Sequence, residues 1–354
     1  MAASIATSGV LVVCVVARLP HRVLDAAGIR AWGLALIVVV GLVSGARGLA
    51  RAPFTLSRSL GGETDRTSAL RRWAGGEVKV LVASLVAGTV VTVPLYALLR
   101  ATPAWWLPAG LLFAAVTVAW QLVTPLVLRA QAGPLAPAPE DLAARLHALA
   151  LRAGVDVGRG VAVAGRRGTG RCNAYVVGLG PTRRIVLEEA VSAWPPELVD
   201  QAVAHELGHW RLGHGARRLP LTLLAQLATL AVAAIVLSSE PLLDGAGVAG
   251  AGDPRSYPLL LVVGALVALP ARFLLAWRDR AQERAADRFA LTLLDRPDDF
   301  AAMLRRAGEE SGAPAHLPWS RRLTASHPAL DERAAACHAG LRGPNAAAGL
   351  PTAA

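Results

Sequence analysis

His205-Glu206-Leu207-Gly208-His209-Trp210 is the stretch on which the reading of this chain turns. In a helix, positions 205 and 209 lie one turn apart on one face. Two neutral imidazoles so placed can reach the same zinc ion, and the glutamate beside the first can act as general base on a water the ion activates. With 8 histidines among 354 residues, such a motif arises by chance in roughly one chain in a hundred, so its surroundings must decide. A catalytic zinc takes three protein ligands and a water. One known spacing places the third ligand six residues after the second histidine, with a glycine between. Here Leu212 stands where that glycine belongs and Gly215 where the histidine belongs. His214 is one residue out of register and reads as solvated or as a residue backing a ligand.

The chain around the motif does not have the make-up of an ordinary soluble protein. Hydrophobic residues are 54% and charged residues 17%, against about 25% charged in average soluble chains. The apolar residues gather in blocks at about 4–18, 31–50, 78–99, 105–128, 219–238 and 257–277, near the 20 residues a helix needs to cross a bilayer. Gly41, Gly45 and Gly48 in the second block permit close helix packing. Trp105, Trp106 and Trp277 stand at block ends, where interfacial aromatics are expected. The net charge of +11 comes almost entirely from arginine, Lys79 being the one lysine. No basic stripe carries interleaved aromatics, so nucleic acid is not expected as a partner. Cys14, Cys172 and Cys337 are too few and too scattered for a disulfide framework or a thiolate metal site. The N-terminus has no basic segment before its apolar run, so the first block is expected to be a retained anchor rather than a cleaved signal.

Loop charges orient the spans. Residues 47–79 hold seven basic side chains: Arg47, Arg51, Arg58, Arg66, Arg71, Arg72 and Lys79. The link after the third block has only Arg100, and residues 239–256 hold Glu240, Asp244 and Asp253 against Arg255. The positive-inside rule then places 47–79 in the cytoplasm and the other two links outside. Arg18, Arg22 and Arg30 run against that rule in the first link, so either the link is an exception or the first block does not span. Four spans are expected within 1–130 and a transmembrane hairpin over 219–278. The cytoplasmic parts are 131–218, with a small sheet and the zinc helix, and 279–338. Residues 132–139 read as a linker and 140–153 as a helix. Val157–Val163, Asn173–Val177 and Arg184–Leu187 read as strands, and 339–354 as a disordered tail.

A second cluster follows the hairpin. In Glu283-Arg284-Ala285-Ala286-Asp287 the two acids share a helix face. Glu283 can ligate the metal while Asp287 orients a ligand histidine; the plainer alternative is a solvated charged helix. The hairpin argues for the site, because it returns the chain to the membrane face it left and brings both motifs to that face.

His205-Glu206-Leu207-Gly208-His209-Trp210 with Glu283-Arg284-Ala285-Ala286-Asp287 resembles the membrane zinc endopeptidases of the gluzincin type that include the type 1 CAAX prenyl protease and the bacterial heat-shock membrane protease. Asn173-Ala174-Tyr175, Gly178, Gly180 and Arg184-Ile185-Val186-Leu187 are similar to the segment preceding the zinc helix in that family. Ser326-His327-Pro328 and Asp331-Glu332-Arg333 are similar to its C-terminal motif. The resemblance covers about 140–335. The prenyl proteases are longer and have seven spans against the six counted here. The resemblance implies one Zn2+ per chain on His205, His209 and Glu283, with Glu206 as base. It also implies His327 as oxyanion donor, Asp287 and Arg333 as supports, and Asn173, Ala174 and Tyr175 as a strand pairing with extended substrate.

The expected protein is mainly α, a polytopic transmembrane helical bundle of about six spans with a cytoplasmic α+β zinc metallopeptidase domain. Its partners are the lipid bilayer and a peptide or membrane-protein substrate, cut at the cytoplasmic face of the cell membrane. Two alternatives remain. A signalling metallopeptidase that cleaves a repressor would need an outer sensor domain, for which residues 239–256 are short. A non-catalytic membrane scaffold would have no need of Glu206 beside the two histidines or of a third acidic ligand.

Overall fold

A computed structural model describes residues 2–60, 65–132, 135–164, 174–177 and 183–340. In chain order the elements are α1 (Ala2–Val16), α2 (Leu19–Ala26), α3 (Trp32–Leu60), α4 (Arg66–Ala101), α5 (Trp106–Ala132), β1 (Leu135–Pro137) and α6 (Glu140–Arg152). Then come β2 (Val161–Ala164), β3 (Ala174–Val177), β4 (Arg184–Glu188), α7 (Glu189–Ser192), α8 (Pro196–Arg211), α9 (His214–Leu237), α10 (Glu240–Ala246), α11 (Tyr257–Leu294), α12 (Pro297–Ser311), α13 (Trp319–Arg322) and α14 (Leu330–Gly340). The chain divides into two compact units, Met1–Ala115 with Leu224–Leu269, and Val116–Leu223 with Pro270–Ala354.

The first unit is built from apolar helices. Among the described residues of the whole chain, five helices are long and apolar enough to cross a membrane, six if the bent pair α1–α2 counts as one span. The first apolar block, about 4–18, forms α1, and α2 lies in the link that follows it. The pair bends by 59° at Arg18, whose φ of 49° is left-handed, and Pro20 opens the second helix. Inside the unit, Leu24, Leu36, Val39, Val40 and Tyr96 are fully buried, whereas Val90, Leu111, Ile235 and Leu266 face outward. Large aliphatic side chains on the outside of a bundle suit hydrocarbon and not water. The tight approach between α3 and α4 is at Gly88, where a Cβ would lie 3.0 Å from Val40 Cγ1. Gly45 and Gly48 have nothing within 4 Å, so of the expected packing glycines only Gly41 faces a neighbour, Leu85.

The links 17–31 and 238–256 meet at one end of this unit. His21 Nε2 lies 2.8 Å from Gly247 O, and Arg255 donates to Asp25 at 2.8 Å. Tyr96 and Ser256 share a buried hydrogen bond of 2.8 Å. The first link, whose arginines ran against the charge rule, thus sits with the link the rule places outside.

The second unit carries a four-stranded sheet in the order β1-β2-β4-β3. β2 and β4 are parallel, and β1 and β3 pair antiparallel on the two edges. Residues 135–137, read as linker, form edge strand β1. Pro137 is tolerated there because an edge residue can spare its N–H. The strand expected from Val157 starts at Val161, because Gly160 turns the chain at φ +72°. Helix α6 buries Leu142, Leu146 and Leu149 at helical spacing, with Glu140 and Asp141 in its first turn to suit the helix dipole. These residues join Ile185, Leu187, Val203, Leu207, Ala290 and Phe300 in one core. Asn173 and the tail 341–354 lie outside the described residues.

Candidate metal centre

Helix α8 opens on Pro196, whose missing N–H costs nothing at a first-turn position. It buries Val199, Val203 and Leu207 against the sheet core. That burial fixes its rotation, and with it the direction of His205 and His209. It meets α11 at a point where no side chain stands between the backbones. A Cβ on Gly208 would lie 3.3 Å from Ala286 Cα and 3.1 Å from Phe289 Cδ1. Gly208 and Ala286 are therefore the spacing elements that bring His205 and His209 within reach of Glu283.

The three side chains converge. One ligand atom from each of His205, His209 and Glu283 lies within 4.8 Å of the others. His205 Nε2 and His209 Nε2 are 3.2 Å apart. Glu283 presents Oε1 to His209 at 3.3 Å and Oε2 to His205 at 3.6 Å. Two ligand atoms each about 2.05 Å from a tetrahedral ion stand about 3.3 Å apart, so the three separations have the size of the edges of one coordination polyhedron. Two imidazole nitrogens and a carboxylate form a donor set for a divalent ion of borderline softness.

Electrostatics give the same answer. Burial works against charge on His205, but Asp287 and Glu283 outweigh it and raise its pKa to about 9. The pocket demands positive charge between these groups, and a cation meets that demand while releasing the proton. Glu206 adjoins the same cluster. Burial raises its pKa, offset in part by His205 and His209, which moves a carboxylate toward the range of a useful base.

Each ligand is held from behind. His205 Nδ1 lies 2.9 Å from Asp287 Oδ1. Asp287 in turn receives Arg333 through both its oxygens, at 2.9 and 2.6 Å. This fork fixes Asp287 against Nδ1 of His205, and the opposite ring nitrogen, Nε2, faces His209 and Glu283. His327 Nδ1 lies 2.9 Å from Glu283 Oε2, so its first contact is the carboxylate ligand itself. His214 has a function that its register only half revealed. After α8, Gly213 turns the chain at φ +64° and sets His214 Nδ1 2.9 Å from His209 Nδ1. A metal held by His209 Nε2 would leave the proton on Nδ1, where His214 would be the acceptor facing it.

Of the residues read as a substrate strand, Ala174 and Tyr175 lie in β3, an edge of the sheet. Trp210 was read only as part of the motif. Its indole N–H donates to Val176 O at 3.0 Å, and Arg183 lies over its ring at 4.6 Å. An aromatic residue directly after the histidine pair was the available signal for this tie between the metal helix and the edge strand.

Comparison with known proteins falls on the same segments. The model of Peptidase family M48 matches residues 138–339. A CAAX prenyl protease 1 homolog of Oryza sativa subsp. japonica is 26% identical over 234 residues, 64% of this chain and 54% of that protein. A CAAX prenyl protease 1 homolog of Dictyostelium discoideum is 25% identical over 243 residues, 65% of this chain and 55% of that protein. The chain spans about half the length of the curated relatives it matches. The crystal structure of S. mikatae Ste24p shares the fold, with a TM-score of 0.69 at 18% identity, over 87% of this chain and 77% of that one. The matched region takes in α8, Glu283, Asp287, His327 and Arg333 and more than half of the sequence, and the chain belongs to Peptidase family M48.

Proposed function

We propose that this chain is a multi-pass cell-membrane endopeptidase that depends on zinc and hydrolyses peptide bonds of peptides or membrane-protein segments at the cytoplasmic face. The observation that carries the proposal is the convergence of His205, His209 and Glu283 with a desolvated Glu206 beside them. Zinc on the three ligands would supply the Lewis acidity that makes a water nucleophilic at neutral pH and polarises the scissile carbonyl.

The remaining steps belong to side chains. Glu206 takes the proton of the attacking water and returns it to the leaving amine. His327 is anchored through Nδ1 on Glu283. The Glu283 carboxylate raises its pKa, which favours the protonated ring, the form whose Nε2–H can donate to the oxyanion. Arg333 and Asp287 keep His205 oriented. Asn173, Ala174 and Tyr175 pair with the extended substrate backbone along the sheet edge, beside the strand carbonyl that Trp210 secures.

Cleavage of an unfolded protein substrate by the purified full chain tests the activity. Chelation of the metal abolishes cleavage and added zinc restores it; cleavage that persists in the metal-free protein excludes the reading. Orientation has a separate test, motivated by the seven basic side chains of 47–79. A reporter fused after residue 135 behaves as cytoplasmic and one inserted at Gly247 as external. The reverse pattern would place the metal centre outside the cell.

A further inference from the structure

The end of the first unit formed by residues 17–31, 102–105 and 238–256 holds an open cavity of about 870 Å³. Arg30, Arg100 and Arg255 line it, against one lining carboxylate, Asp253. Arg255 is already engaged by Asp25 at 2.8 Å and Asp253 at 3.9 Å. Among the described residues no carboxylate pairs with Arg30 or Arg100. Arg100 is nevertheless held in place. Its guanidinium lies over the Trp32 ring at 5.3 Å, and Gly252 closes on its stem so tightly that a Cβ there would lie 2.8 Å from Arg100 Cγ. An unneutralised guanidinium that the fold positions in a cavity wall is prepared for an anion from elsewhere.

The depth of the cavity says what kind of anion. Arg30, Trp32 and Arg100 lie within two residues of the ends of α3 and α4, at the level where spans meet headgroups. Ala35 and Ala234, which also line the cavity, lie about one turn further into α3 and α9. The wall therefore changes from cationic to apolar toward the hydrocarbon. At that level of a bilayer the anions at hand are lipid phosphates.

We propose that this cavity binds the headgroup of an anionic phospholipid, its phosphate held by Arg30 and Arg100 and its acyl chains in the surrounding bilayer. The site is separate from the proposed catalysis, and it rests on α3, α4, α9 and α11 crossing the bilayer.

Titration of the full-length, detergent-solubilised protein with phosphatidylglycerol or phosphatidylcholine, read by native mass spectrometry, tests the assignment. The expected result is a clear preference for phosphatidylglycerol. An arginine near a membrane surface contributes roughly fivefold to the binding of an anionic lipid. Arg30→Gln together with Arg100→Gln should therefore weaken phosphatidylglycerol about 30-fold and leave phosphatidylcholine unchanged. Arg30→Gln alone, at an exposed link position, gives the smaller loss without disturbing the Arg100–Trp32 stack. Retained metal binding at His205, His209 and Glu283 reports that each variant is folded. Equal retention of the two lipids, or an undiminished preference in the double variant, overturns the proposal. Displacement of the lipid by inorganic phosphate would make the ligand a soluble anion and overturn the lipid assignment.

Discussion

Glu206→Gln should reduce peptide hydrolysis by about 100- to 10,000-fold, the range a positioned general base contributes, and leave the metal content of the purified protein unchanged. The amide has nearly the size of the carboxylate and can still hydrogen-bond a water, but it cannot take the proton. Glu206 is not one of the three converging side chains, so the ion keeps all its ligands. Metal analysis and a turnover assay on the same preparation separate the two effects. A Glu206→Gln protein that cleaves at the rate of the parent removes Glu206 from the mechanism. One that loses its metal makes Glu206 a ligand or a structural support.

Glu283→Ala has the larger effect on composition. It removes the carboxylate that faces both His205 and His209, and the imidazole pair that remains is a weak site. Metal content should fall from one per chain toward zero, and hydrolysis should fall with it. Competition with a chromogenic chelator gives the affinity directly, and supporting-residue changes calibrate it. Truncating a group that only orients a ligand typically costs 10- to 100-fold in affinity, and removing the ligand should exceed that. If Glu283→Ala retains metal at parental affinity, the third ligand is another group, with Asp287 and His214 the nearest alternatives.

The metal centre was legible because its parts obey short helical spacings. His205 and His209, like Glu283 and Asp287, are each one turn apart, and the apolar hairpin between the pairs showed why they meet. His214 was only half legible. Its partner is the far ring nitrogen of His209, and the contact exists because Gly213 folds the chain back at the end of α8, which no helical period describes. Strand β1 was hidden by Pro137 and its neighbouring prolines, since edge pairing by a proline-bearing segment leaves no alternation to read. Of Gly41, Gly45 and Gly48, expected to permit close packing, Gly41 faces Leu85 of α4, and the tighter approach of the two helices lies at Gly88, because glycine spacing on one helix does not say which helix supplies the hole. The bend at Arg18 had a visible sign in Pro20, but its left-handed arginine is a consequence of packing.

The division of the ligands between α8 and α11 also sets an order of events during synthesis. A nascent chain that has produced His205, Glu206 and His209 still lacks Glu283, the third of the converging side chains, which is encoded late in α11 after the apolar parts of α9 and α11. The ion site is completed only after the ribosome has passed Glu283 and the hairpin has been laid down between the two halves. A chain truncated inside the hairpin lacks the His205, His209 and Glu283 cluster, whatever else of it has folded. Connectivity thus ties assembly of the cluster to prior synthesis of the apolar hairpin between its halves.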